Sequence, residues 1–248
     1  MIAGYERHSP SKLNLFVASP AMFYLEYVLG EKQPTNVAMS RGAAVEDGVT
    51  HGLMHFTAFD TDDFDECAKV ALTTYDARTA LLSDERREKV RATIPDMVKT
   101  ALDALLPYGR PTGMQGLVEW QPDGLLLPVI GYYDYQWDDH GILVDLKTTE
   151  KIPGSIKFSH ARQVAHYAVS DNIDARLVYV TPRRIEVYRL ENVRQHRNGL
   201  ALIGKSVEKF LSQSGDPEEL KWHALPNLDD FYWKDPQLRQ RAYEIWGL

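Results

Sequence analysis

"GYYDYQWDDHGILVDLKTT", running from Gly131 to Thr149, decides how the rest of the chain is read. Apolar and polar residues alternate on both sides of Asp139-His140-Gly141, so the segment predicts a β-hairpin with its turn there. Side chains alternate along a strand. Asp145 and Lys147 therefore share one face, while Val144 and Leu146 point to a core. Asp134, on the first strand, can lie across from that pair. Charges beside a core are costly unless they pair or bind a metal. Two readings stay open at this point. One is a buried salt bridge between Lys147 and either acid, which the hairpin taken alone favours. The other is a cation site of carboxylate oxygens with an ammonium beside it. Asp138 and Asp139 belong to the turn.

The surrounding composition is that of a globular protein. The 248 residues are 44% hydrophobic and 25% charged, enough for one substantial core or two small ones. No apolar run approaches the roughly 20 residues of a membrane span. The opening "MIAGYERHSPSK" lacks the residue order of a signal peptide, so a cytoplasmic location is expected. The single cysteine, Cys67, excludes an internal disulfide and an all-cysteine zinc or iron–sulfur site within one chain. Net charge is −7, yet twelve Lys/Arg against six Asp/Glu fall between Lys147 and Lys209. The basic part directly follows the hairpin, where a polyanion would meet it, although solvated faces of mixed sign account for it equally.

Periodicity predicts helices over 11–29 (broken at Pro20), 40–56 with Ser40 as N-cap, 63–81, and 84–106 with Ser83 as cap and a kink at Pro95. Strands follow over 116–122, 125–139 and 141–149, then a helix over 159–171, strands over 175–182 and 184–190, and a helix over 192–213. The order predicts a single domain over 1–248 of α/β (α+β) class. Its parts are a mainly helical 1–110, a sheet-bearing 111–190, and a helix and tail over 191–248.

At the hairpin the sequence resembles the PD-(D/E)XK nuclease superfamily, in particular its RecB-like exonuclease branch. The pattern G-x-x-D, hairpin, then hydrophobic-D-x-K-T is met by Gly131, Asp134, Asp145, Lys147 and Thr148. Three further pieces occur in the family's order. A Q-x-x-x-Y pair on the next helix is Gln163 and Tyr167, spaced to share a helix face. A G-x-x-x-E in "RGAAVE" supplies Gly42 and Glu46, where the branch more often has histidine. Glu119 in "LVEW" is the acid on the preceding strand. The opening "LNLFVASPAMFYLEYVLG" resembles the branch's entry helix, with Ser19 in place of a cysteine that some members use for an iron–sulfur cluster.

The resemblance implies a central mixed β-sheet flanked by helices, a restriction-endonuclease-like core. It implies metal ligation by Glu46, Asp134 and Asp145, with the Leu146 backbone carbonyl completing the shell. Lys147 would position or help activate the attacking water, and Glu119 would support the site. Gln163, Tyr167, Arg162, His166 and Arg41 would contact DNA. The cofactor would be Mg²⁺, replaceable by Mn²⁺, with no iron–sulfur cluster. No G-x-x-x-x-G-K-[ST] is present, so ATP use is not expected. The implied activity is a DNA exonuclease of phage or microbial recombination, repair or DNA processing. Its partners would be DNA and a single-strand annealing or recombination protein, with a homo-oligomer as one route to processivity and the host cytoplasm as its place if phage-encoded. The rivals are a structure-specific or restriction-like endonuclease of the same fold and a catalytically inactive DNA-binding module.

Weaker signals point elsewhere. His51 and His55 have i, i+4 spacing for zinc but lack the H-E-x-x-H pattern. Arg183-Arg184, and Arg194, Arg197, Lys205 and Lys209 on the last long helix, read as turn or solvated charges or as phosphate contacts.

Overall fold

The computed structural model describes residues 4–55, 61–169 and 173–248. Helices α1 (Pro10–Ala18), α2 (Pro20–Phe23), α3 (Val37–His55), α4 (Thr61–Thr79), α5 (Arg87–Arg91) and α6 (Ile94–Leu105) come first. Strands β1 (Gly113–Trp120), β2 (Val129–Trp137) and β3 (Ile142–Thr148) follow. Then come α7 (Phe158–Tyr167), β4 (Asp174–Val180), β5 (Ile185–Arg189), α8 (Val193–Leu211), α9 (Pro217–Leu220) and α10 (Pro236–Trp246). The sheet runs β1-β2-β3-β4-β5 and is mixed, because β3 and β4 pair in parallel while β2/β3 and β4/β5 are antiparallel. A parallel pair needs a crossover between its strands, and α7 supplies it. The expected α/β class, with a mixed sheet flanked by helices, is what the chain forms.

Several helix boundaries differ from the sequence reading. Pro20 does break the first helix, and Ser19 caps the second by accepting from the Met22 N–H at 3.3 Å. Ser40, however, is not a cap. Asn36 takes that role, with its Oδ1 accepting from the Ala38 and Met39 N–H groups at 3.0 Å each. The helix starts a turn earlier and Ser40 lies buried within it. Ser83 caps nothing either. The segment after α4 splits into α5 and α6, and Pro95 sits in the first turn of α6. Proline belongs in a first turn, where its missing N–H costs nothing, so it restarts the helix rather than kinking it.

The chain divides into two compact units. One comprises Thr35–Gly116 and Tyr132–Glu191. Its core joins α3, α4 and α6 to Tyr135, Trp137, Ile142, Val144, Leu146, Val178 and Val180 of the sheet. α6 buries Ile94, Met97, Val98, Ala101, Leu102 and Leu105, one apolar stripe at helical spacing. α3 and α4 approach closely at Gly48, where an added Cβ would stand 2.8 Å from the Cys67 carbonyl oxygen and 2.9 Å from the Ala71 Cβ. At the hairpin turn Gly141 adopts φ 60°, the left-handed region that favours glycine.

The other unit comprises Met1–Pro34, Leu117–Gly131 and Asn192–Leu248. Aromatic residues Phe23, Tyr24, Trp233 and Trp246 help fill its core. Glu208 of α8 is nearly buried there. Its carboxylate accepts from the Leu126 and Leu127 N–H groups, each at 2.9 Å, and faces His8 Nε2 at 3.1 Å. His8 is fully buried, and its Nδ1 lies 3.0 Å from the Tyr5 hydroxyl.

Candidate active site

The hairpin register places the charges. Tyr135 pairs with Val144 and Gln136 with Leu143. One further step along this antiparallel register sets Asp134 opposite Asp145. Tyr135 and Val144 face the helical core, so alternation turns both acids, with Lys147, to the other face. α3 lies on the core side. The Tyr135 hydroxyl donates to the Glu46 carbonyl at 3.2 Å, and Arg41 Nε donates to Thr148 Oγ1 at 3.4 Å.

Asp145 has no solvent exposure, and Asp134 is 8% exposed. Like charges directly opposed on neighbouring strands repel. Lys147 Nζ sits 2.6 Å from Asp145 Oδ2, which decides the pairing left open by the sequence: the lysine's ion pair is with Asp145. Asp134 Oδ2 instead accepts from the Leu146 backbone N–H at 2.7 Å. Burial, and next the Asp145 charge, push the Asp134 carboxyl well above its ordinary pKa. Burial also raises Glu46, against the pull of Lys147. For Lys147, burial opposes the charge, but Asp145 and Asp134 outweigh it and raise the pKa. The lysine is therefore an ammonium at neutral pH. Asp145 Oδ1 has no hydrogen-bond partner at all.

Among the described residues, no three His, Cys, Asp or Glu side chains stand close enough to hold a metal ion as they are. Each carboxylate has a partner within the protein: Asp145 has Lys147, Asp134 has the Leu146 N–H, and Glu46 has the Gln115 amide. Mg²⁺ nevertheless requires only one or two carboxylates, with waters and substrate phosphates completing its shell. The donor set fits such an ion. Two buried carboxylates face each other, and one presents an oxygen that no protein donor reaches.

α7 covers part of this face. Gln163 Nε2 donates to the Tyr167 hydroxyl at 3.0 Å, so the expected pair is coupled. Tyr167 is only 3% exposed, which leaves its ring no open face for a base to stack on. Burial, with Asp145 next, raises its pKa and keeps the phenol neutral. Arg162 and His166, the adjacent i, i+4 pair, differ in burial. Arg162 is half-buried, whereas His166 is fully buried, its ring set edge-on to Tyr167 at 5.5 Å. The helix turns that position into the core. Glu119 is exposed near the end of β1, in the other unit.

Two neighbours of these residues escaped the sequence reading. Gln115 holds Glu46 from β1, at a backbone φ of 48° that is uncommon for a non-glycine residue. Nothing in the local pattern signals it. His160, three residues before Gln163, shares its helix face and bonds the Tyr179 hydroxyl at 2.7 Å. Extending the i, i+4 comparison to i, i+3 and i, i+7 would have found it. Of the weaker signals, Arg183 and Arg184 sit exposed in the β4–β5 turn, with both N–H groups donating to Thr181 Oγ1. His51 faces Glu66 at 3.2 Å and stacks with His55 at 4.4 Å. On α8, Arg197 lies over the Trp120 ring at 4.4 Å.

The mixed sheet thus carries, on its β2–β3 hairpin, two buried acids beside a half-buried lysine. The family model described as the PD-(D/E)XK nuclease superfamily matches residues 7–231, and the chain belongs to that superfamily. Its members are generally metal-dependent nucleases and typically use divalent cations. No curated protein matched the chain. A solved structure titled "Crystal structure of SSO0001" is 17% identical, over 65% of this chain and 84% of that one, at a TM-score of 0.32. No described helix is long and apolar enough to cross a membrane.

Proposed function

We propose that this protein is a Mg²⁺-dependent deoxyribonuclease that hydrolyses phosphodiester bonds from a DNA end. The observation that carries this reading is the hairpin: Asp134 and Asp145 buried face to face, with the Lys147 ammonium 2.6 Å from Asp145. Asp134 and Asp145 would hold the cation, with Glu46 and the Leu146 carbonyl able to complete its shell. When bound, such an ion lowers the pKa of a coordinated water and neutralises charge on a phosphate.

The chain's own residues divide the remaining work. Lys147, paired with Asp145 at 2.6 Å, would position or help activate the attacking water. It acts as a fixed positive charge that orients the water and offsets charge gathering on the phosphate oxygens. Gln163, steadied by Tyr167, offers an amide to the strand beside that phosphate. Arg162 supplies a cation for backbone phosphates, whereas Arg41 is buried and donates to Thr148 Oγ1. The resemblance to the RecB-like branch suggests a role in recombination, repair or DNA processing, in phage or microbe, with an annealing or recombination protein as partner.

Linear and covalently closed circular DNA, incubated side by side with Mg²⁺, test the reading. Progressive shortening of the linear DNA with intact circles is the expected result. Rapid nicking of circles would replace the exonuclease with an endonuclease of the same fold. No hydrolysis in either Mg²⁺ or Mn²⁺ would favour a DNA-binding module without catalysis.

A further inference from the structure

His160 lies on the Gln163/Tyr167 face of α7, and the proposed chemistry leaves it unused. It is half-buried and stands one helical turn before Gln163. Its Nδ1 lies 2.7 Å from the Tyr179 hydroxyl, with the two rings 5.7 Å apart. Tyr179 is 1% exposed and pairs with Lys147 in the parallel β3/β4 register. Paired residues of adjacent strands project to the same face. His160 is thereby tied, through one hydroxyl, to the strand position beside Lys147.

The Tyr179 hydroxyl has one proton, which it can give to His160 Nδ1. The ring's own proton is then on Nε2. Burial, with Lys147 and Lys157 adding to it, pushes the His160 pKa down to about 4, so the imidazole is neutral at physiological pH.

We propose that His160 is an uncharged hydrogen-bond donor to the nucleic-acid strand. Its Nε2–H would meet a phosphate oxygen next to the nucleotide held by Gln163, and Tyr179 would act as the positioning residue that sets the tautomer. This rests on the nuclease reading above and adds a contact to it. An uncharged donor contributes affinity without displacing a counterion, whereas each Lys or Arg contact adds about one to the salt slope of binding.

The test measures binding of a short duplex at several salt concentrations, with Ca²⁺ in place of Mg²⁺, for wild type, H160A, H160Q and Y179F. Thermal melts verify folding. H160A should bind about tenfold more weakly, the worth of one neutral hydrogen bond, with an unchanged salt slope. H160Q, which keeps a donor, should recover most of the loss, and Y179F should fall between. The proposal is overturned if H160A binds like wild type, if its salt slope drops by about one, or if H160Q recovers nothing. Wild type failing to bind DNA would refute the nuclease reading itself, a separate outcome.

Discussion

Replacing Asp134 with Asn should stabilise the metal-free protein while destroying its activity. Residues directly opposed on antiparallel strands have Cβ atoms about 5 Å apart. Two unit charges at about 5 Å in an effective dielectric of about 20 repel by about 3 kcal/mol. Lys147, paired with Asp145, cancels part of this, while the burial of Asp134 adds to the cost of its charge. Asparagine removes the charge, and its amide oxygen can still accept the Leu146 N–H that Asp134 now takes at 2.7 Å. The net gain should be about 2 kcal/mol. For a chain of this size that raises the melting temperature by about 4–8 °C. The assay is thermal unfolding in EDTA and again with Mg²⁺. Wild type should gain stability with Mg²⁺, by about 2.7 kcal/mol at a hundredfold excess over Kd, and Asp134→Asn should gain little. A variant that melts below wild type in EDTA would refute the electrostatic reasoning. A variant that responds to Mg²⁺ as wild type does would refute the ligand assignment.

Other consequences concern the unit that carries His8. Glu208→Ala would strand the Leu126 and Leu127 N–H groups and His8, so urea unfolding should show a loss of about 2–4 kcal/mol. Burial holds the His8 pKa below its ordinary value, with Glu208 opposing. The unfolded ring gains a proton below about pH 6.5 and the folded ring only at lower pH. Stability from this group is therefore complete above about pH 6.5. It falls as pH drops toward the folded pKa, by at most about 1.4 kcal/mol per pH unit. Urea midpoints at pH 7.5 and 5.5 should differ more for wild type than for His8→Asn.

The sequence exposed those features that rest on periodicity. Alternation alone put Asp145 and Lys147 on one face, and Asp134 opposite follows from hairpin register. The Gln163–Tyr167 bond follows from i, i+4 spacing. What stayed hidden depends on tertiary choice. Lys147 could equally have paired with Asp134, and packing selected Asp145. Ser40 and Asn36 are both good caps, and the burial of Val37 pulled the helix start back to Asn36. His166 has the same local spacing from Arg162 as Tyr167 has from Gln163, yet the helix turns it inward. Gln115 reaches Glu46 across 69 residues of sequence, and no local pattern encodes that contact. His160 acquires its partner, Tyr179, only when α7 packs on β4.

DNA hydrolysis by wild type and Lys147→Ala, compared in Mg²⁺ and in EDTA, tests the central claim most directly. Wild type should degrade linear DNA only with the metal. Lys147→Ala should lose at least about a hundredfold in rate, the worth of one electrostatic group at a reacting centre, while still binding DNA and metal. Wild-type turnover by that variant, or cleavage by wild type in EDTA, would contradict the account.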